Sequence, residues 1–141
     1  MRFKNIFSVG TGIQILLLIG AIAVQEFSMK RMGMMRHIMF LNQEWEANLP
    51  LEAIKTTLIA ILILLFVGVT ARLYASLQKP SEKRAKIIWL TTGVITLAPI
   101  LFSKLYSTES YRSYYIMGLT LAIIAIIQNL KAMAILKTNR R

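Results

Sequence analysis

Cysteine is absent from these 141 residues, and so is aspartate. Without cysteine there are no disulfides, thiolate metal sites or thiol nucleophiles. Without aspartate every carboxylate side chain is one of six glutamates, and the single histidine is His37. A Ser–His–acid arrangement would have to borrow a glutamate, and no G-x-S-x-G elbow presents a serine. Glu44 and Glu46 stand two residues apart, so on a helix they point to different faces. The sequence therefore predicts neither an enzyme nor a cofactor.

Charge is missing from the middle of the apolar runs as well. Lys55, Arg72, Lys104 and Lys131 fall near their ends, where long stems reach toward the membrane surface. Proton relays and ion-coupled carriers use ionisable groups inside the membrane, so the pattern argues against an ion-coupled pump. Two broken apolar segments in matching positions, a further carrier cue, are also lacking.

What is abundant is hydrocarbon. Hydrophobic residues make up 56% of the chain and the mean hydropathy is +0.59, beyond the usual soluble range. Four apolar stretches, about 6–27, 54–77, 87–103 and 114–131, each approach the roughly 20 residues needed to cross a bilayer. They are too long and too continuous for strands, and lipid forces their backbone groups to bond internally. The first also resembles a secretion signal, with Arg2 and Lys4 before it and Ala21–Ala23 as a small-residue site. It is read here as a membrane helix.

The net charge of +11 has a spatial meaning. With the N-terminus in the cytoplasm, the inner side carries eleven basic residues and one acid, Glu82. The outer side carries six basic residues and five glutamates. This +10 against +1 asymmetry puts both termini in the cytoplasm. It also accounts for the basic excess, and nucleic acid is not an expected partner.

The predicted fold is an all-α membrane protein in one domain, 1–141. Four transmembrane helices form two hairpins, joined inside by the basic "QKPSEKRAK". A short amphipathic outer helix lies in segment 28–53, after the first span. That segment contains "MKRMGMMRHIMF", with five of the eight methionines. Read as a helix, Met34, Ile38, Leu41 and Trp45 form one apolar stripe, away from Lys30, Arg31, Arg36 and His37. Such a helix lies along the membrane surface or caps the bundle. Its methionines adapt to irregular partner surfaces. Met34, Met35, Ile38, Met39 and Trp45 are therefore candidate partner contacts. The rival chemistry is soft-metal binding by Met32, Met35, His37 and Met39, whose thioethers and imidazole suit Cu(I). Arg31 and Arg36 would repel that cation, so no metal is expected.

Inside the spans small and polar residues recur at helical spacing: Gly118, Ala122, Ala125 and Asn129; Thr92, Thr96, Pro99 and Ser103; Gln14, Leu18, Ala21 and Gln25. Such stripes let helices approach and bond across the contact. Gly118, Ala122 and Ala125 join the candidate partner contacts.

"MMRHIMFLNQEWE" after the first span and "TLAPILF" late in the third give the chain a family resemblance. It resembles a family of small four-helix bacterial membrane proteins that accompany ABC transporters of the macrolide-export type. That family carries an outer M-x-C-H box, and its cysteine is missing here. The resemblance implies an accessory role beside a larger integral membrane protein, an ABC-type transporter, in a bacterial inner membrane. The expected function is a noncatalytic accessory or scaffold subunit. The alternative is a small oligomeric transporter for a soft metal or an amphipathic solute.

Overall fold

A computed structural model describes residues 2–76, 82–107 and 109–138, all helical apart from short connections. The helices are α1 (Arg2–Lys30), α2 (Met32–Asn48), α3 (Leu51–Ser76), α4 (Glu82–Leu105) and α5 (Tyr114–Thr138). Within α1, α3, α4 and α5 lie four stretches long and apolar enough to cross a membrane. The end of the second expected span at Leu77, part of the inner connector and residues 139–141, with the basic Arg140 and Arg141, lie outside the described residues.

Every long helix outruns its apolar run. Helix hydrogen bonding continues past the hydrocarbon edge until turn chemistry stops it, so the third span, the shortest in sequence, becomes a 24-residue helix. Segment 28–53 is almost wholly helical too. Only Arg31, in extended conformation, separates α1 from α2. Pro50 opens α3 rather than merely closing the outer segment, because its carbonyl accepts the Ile54 N–H at 3.0 Å.

The packing partners differ from a simple pair of hairpins. α5 is the hub: it contacts α1, α3 and α4, while α3 and α4 also pack on each other. The α5 membrane window is 44% buried, against 11% for that of α1. Val69, Leu73, Ala85, Ala132 and Leu136 close the end of the α3–α4–α5 bundle where α3 and α5 finish and α4 begins. Trp89 stacks on Phe66 beside them, with ring centroids 5.8 Å apart. α1 attaches to the remaining side of α5, and α2 folds back against α1.

Threonines are tolerated in these apolar helices because their hydroxyls bond one turn back. Thr92 donates to Ile88 O at 2.7 Å and Thr96 to Thr92 O at 2.7 Å. Pro99 lies inside α4 and cannot donate to the carbonyl of Ile95.

Candidate functional site

Two features stand apart from ordinary apolar packing: a polar seam joining α1, α5 and α4, and an apolar cavity near the other end of the bundle.

The seam begins at Lys131. Seven residues of α5 follow it, so it lies roughly 10 Å inside the helix end at 1.5 Å per residue. Sequence position suggests a stem reaching outward, but the side chain is buried. Its Nζ donates to Thr11 Oγ1 at 2.8 Å and Gln14 Oε1 at 2.9 Å. It also sits 4.4 Å from the centroid of the Phe7 ring. Gly10 makes this route possible: a Cβ there would come within 3.0 Å of Lys131 Cδ. Among the described residues no carboxylate pairs with the ammonium. The bundle therefore does hold a buried charge, contrary to the expectation from the apolar runs.

From Lys131 the seam continues through amides. Gln14 Nε2 donates to Ile124 O at 3.0 Å and approaches Gln128 Oε1 at 3.4 Å. Gln128 Nε2 reaches Thr92 Oγ1 at 3.4 Å. One turn away, Asn129 Nδ2 donates to Thr96 Oγ1 at 2.9 Å and Ala125 O at 2.8 Å. Asn129 Oδ1 is buried without a partner. In hydrocarbon such bonds hold helices together where apolar contact has no advantage over lipid.

The C-terminal end of α1 is held by similar means. Gln25 Oε1 accepts the Ser113 backbone N–H at 3.1 Å and the Ser113 hydroxyl at 2.6 Å. Arg112 Nη1 donates to Ser28 O at 3.1 Å. α2 joins the same junction: Asn42 Nδ2 donates to Arg112 O at 2.8 Å and the Tyr115 hydroxyl to Glu46 Oε1 at 2.8 Å. Trp45 meets the Tyr115 ring edge-on. Nearby, Tyr111 has its pKa raised from 10.0 by burial, with smaller contributions from Tyr106 and Glu26. Its neutral form is favoured in the fold, so its stabilising effect is full below pH 10 and is lost as pH rises past its folded value.

These contacts show where the bundle places the predicted residues. Met34, Met35 and Trp45 are half-buried and Ile38 is buried, so they face this chain's own bundle. Ala122 and Ala125 are likewise buried inside it. Periodicity marks a buried stripe but not whose surface buries it. Gly118 does not serve close helix approach: a Cβ added there would meet nothing within 4 Å. Met32, Met39 and Phe40 are exposed instead. The soft-metal set is divided by the helix, because His37 lies about 140–200° around α2 from Met32, Met35 and Met39.

Gly118 looks into the second feature, a cavity of about 320 Å³ between α3, α4 and α5, roofed by Trp45 and Leu49. Its floor is Leu62, Pro99 and Ala122, and Glu52, Lys55 and Tyr115 stand nearer the helix ends.

Sequence signals for the seam existed in Gln14, Gln128 and Asn129. Nothing in the sequence signalled the cavity. Comparison with known protein families, curated proteins and solved structures finds no match for the chain.

Proposed function

We propose that this chain is a multi-pass protein of a bacterial inner membrane, with both termini cytoplasmic, acting as a noncatalytic accessory or scaffold subunit of a larger membrane complex. The observation that carries the reading is the outer face of α2. Its buried side is fastened to the bundle, which leaves Met32, Met39 and Phe40 exposed within about 100° of arc. Arg31 and His37 border them and Arg36 stands among them, all three exposed. Exposed apolar side chains with basic groups among and beside them on a fixed helix are a surface expected of a contact site. The proposed partner is a larger integral membrane protein, for which an ABC-type transporter is the specific suggestion of the family resemblance.

Gentle detergent purification is expected to bring down a larger membrane protein in stoichiometric amount. Met32→Glu with Phe40→Glu should release it without lowering the thermal stability of the chain itself. A pure homo-oligomer, unaffected by that pair, would favour the transporter alternative.

Orientation has a separate test, made simple by the absence of cysteine. Single cysteines at Ser81 and Thr138 should be labelled from the cytoplasm, and at Gln43 and Ser110 from outside, as the +10 against +1 asymmetry requires. Gln43 is preferred to Asn42, which is buried. Labelling of Gln43 and Ser81 from the same side would eliminate the four-span arrangement.

A further inference from the structure

We propose that the cavity between α3, α4 and α5 is a phospholipid site, in which one acyl chain fills the apolar space while Lys55 and Glu52 hold the phosphate and ammonium of a phosphoethanolamine headgroup.

The depth fits a single leaflet. From Tyr114 to Ala122 the cavity follows eight residues of α5, about 12 Å, and from Leu51 to Leu62 eleven residues of α3, about 16 Å. Half of a hydrocarbon core is about 15 Å. Chemistry changes along that depth as a lipid does: apolar at Leu62 and Ala122, charged and aromatic at the helix ends. The space is kept open by what is missing there, a side chain at Gly118. Leu49, Ile54 and Leu119 line it and remain substantially exposed, so a chain can enter from the side.

The charges choose the headgroup. Lys55 Nζ stands 3.9 Å from Glu52 Oε1, a long ion pair that leaves ammonium donors for a phosphate. It also lies 5.7 Å from the Tyr114 ring centroid, on the cavity wall. Glu52 is far more exposed and free to accept N–H bonds from a primary amine. A choline headgroup has no N–H to offer, and a purely anionic headgroup would face the Glu52 carboxylate without compensation. Phosphoethanolamine satisfies both residues.

Trp45 on the cavity roof provides the readout. Trp89→Phe leaves it as the only tryptophan, since the chain has two. The full chain in phosphatidylcholine nanodiscs is titrated with phosphatidylethanolamine carrying brominated acyl chains, and in parallel with brominated phosphatidylcholine. Saturable quenching by the ethanolamine lipid, at roughly tenfold lower mole fraction than the choline lipid, is expected. Gly118→Leu should remove the saturable component with the thermal midpoint retained, because leucine occupies open space. Glu52→Gln should abolish the preference between the two lipids, whereas Lys55→Gln should weaken both alike.

Equal, unsaturable quenching by both lipids would mean bulk contact only and overturn the proposal. So would saturable quenching that survives Gly118→Leu in folded protein. If a second copy or another membrane protein fills the cavity, neither lipid will show a saturable phase, which again overturns it. The two-lipid comparison needs no cavity variant, and it does not depend on whether a larger protein co-purifies.

Discussion

Lys131→Met is expected to lower the thermal midpoint of the purified protein more than any other single substitution along the seam. Methionine keeps an apolar stem of similar length, so the change isolates the ammonium. Its loss leaves Gln14 Oε1, in a buried side chain, without the donor that now lies 2.9 Å away. A stranded buried acceptor costs about 1–3 kcal/mol. The lost approach to Phe7 adds up to about 2 kcal/mol in a desolvated site. Gln14→Leu alone leaves the ammonium Thr11 Oγ1 as an acceptor at 2.8 Å and should cost less. The double variant removes both partners and should recover part of the loss, giving a coupling of about 0.5–3 kcal/mol in a double-mutant cycle. Strict additivity would mean that the two side chains do not interact and that Lys131 reaches solvent after all.

The reason this effect concentrates at one residue lies in how α1 is attached. Much of its apolar surface is exposed, including Ile15, Leu16 and Ile19, and in a bilayer that surface is satisfied by lipid. Its named contacts with α5 and the segment just before it are mostly polar and fall between Phe7 and Gln14 and again at Gln25 and Ser28, with Ala21 buried between them. α3, α4 and α5 share an apolar core, which α1 lacks. A substitution in the seam should therefore loosen α1 before it unfolds the other three helices. Single-cysteine pairs across α1 and α5 in the cysteine-free chain can follow that separation.

Some of this was legible in the residues and some was not. Four membrane-length runs stand out because lipid tolerates so few polar residues. The stripe of Met34, Ile38, Leu41 and Trp45 faces inward as helical spacing predicts, as do Thr92, Thr96 and Pro99. In α1 the stripe was drawn too straight: Leu18 is 39% exposed, and buried Ser28 extends the face beyond Gln25. Spacing could not say that the stripe of α2 is covered by this chain, since a partner and a core ask for the same residues. Nor could it place Lys131. An apolar stretch ending at about 131 makes Lys131 look peripheral, whereas α5 continues to Thr138 and Gly10 opens a route inward. The cavity depends on where three helices diverge, which no single run encodes.

At the other end of α1, Gln25→Leu should detach the helix from the start of α5 and lower stability by about 2–4 kcal/mol. One side-chain oxygen serves two donors there, the Ser113 N–H and the Ser113 hydroxyl. Ser113 is fully buried, so neither donor finds ready replacement in water. Stranding each costs about 1–3 kcal/mol, reduced where the hydroxyl can turn to another acceptor. Ser113→Ala is the informative contrast. It removes the hydroxyl but leaves the backbone N–H bonded to Gln25, so its cost should be about 1 kcal/mol, that of one ordinary hydrogen bond. Asn42→Leu should cost less still, because losing its bond to Arg112 O is offset by removing the buried, unpartnered Asn42 Oδ1. The expected order of thermal midpoints is therefore Asn42→Leu above Ser113→Ala above Gln25→Leu. Arg112→Met, which frees Ser28 O, should deepen the Gln25→Leu loss by less than its own separate effect, since both changes release the same helix end. If Gln25→Leu proves no worse than Ser113→Ala, the backbone N–H of Ser113 is not held by Gln25, and this end of α1 is attached through the Ser113 hydroxyl and Arg112.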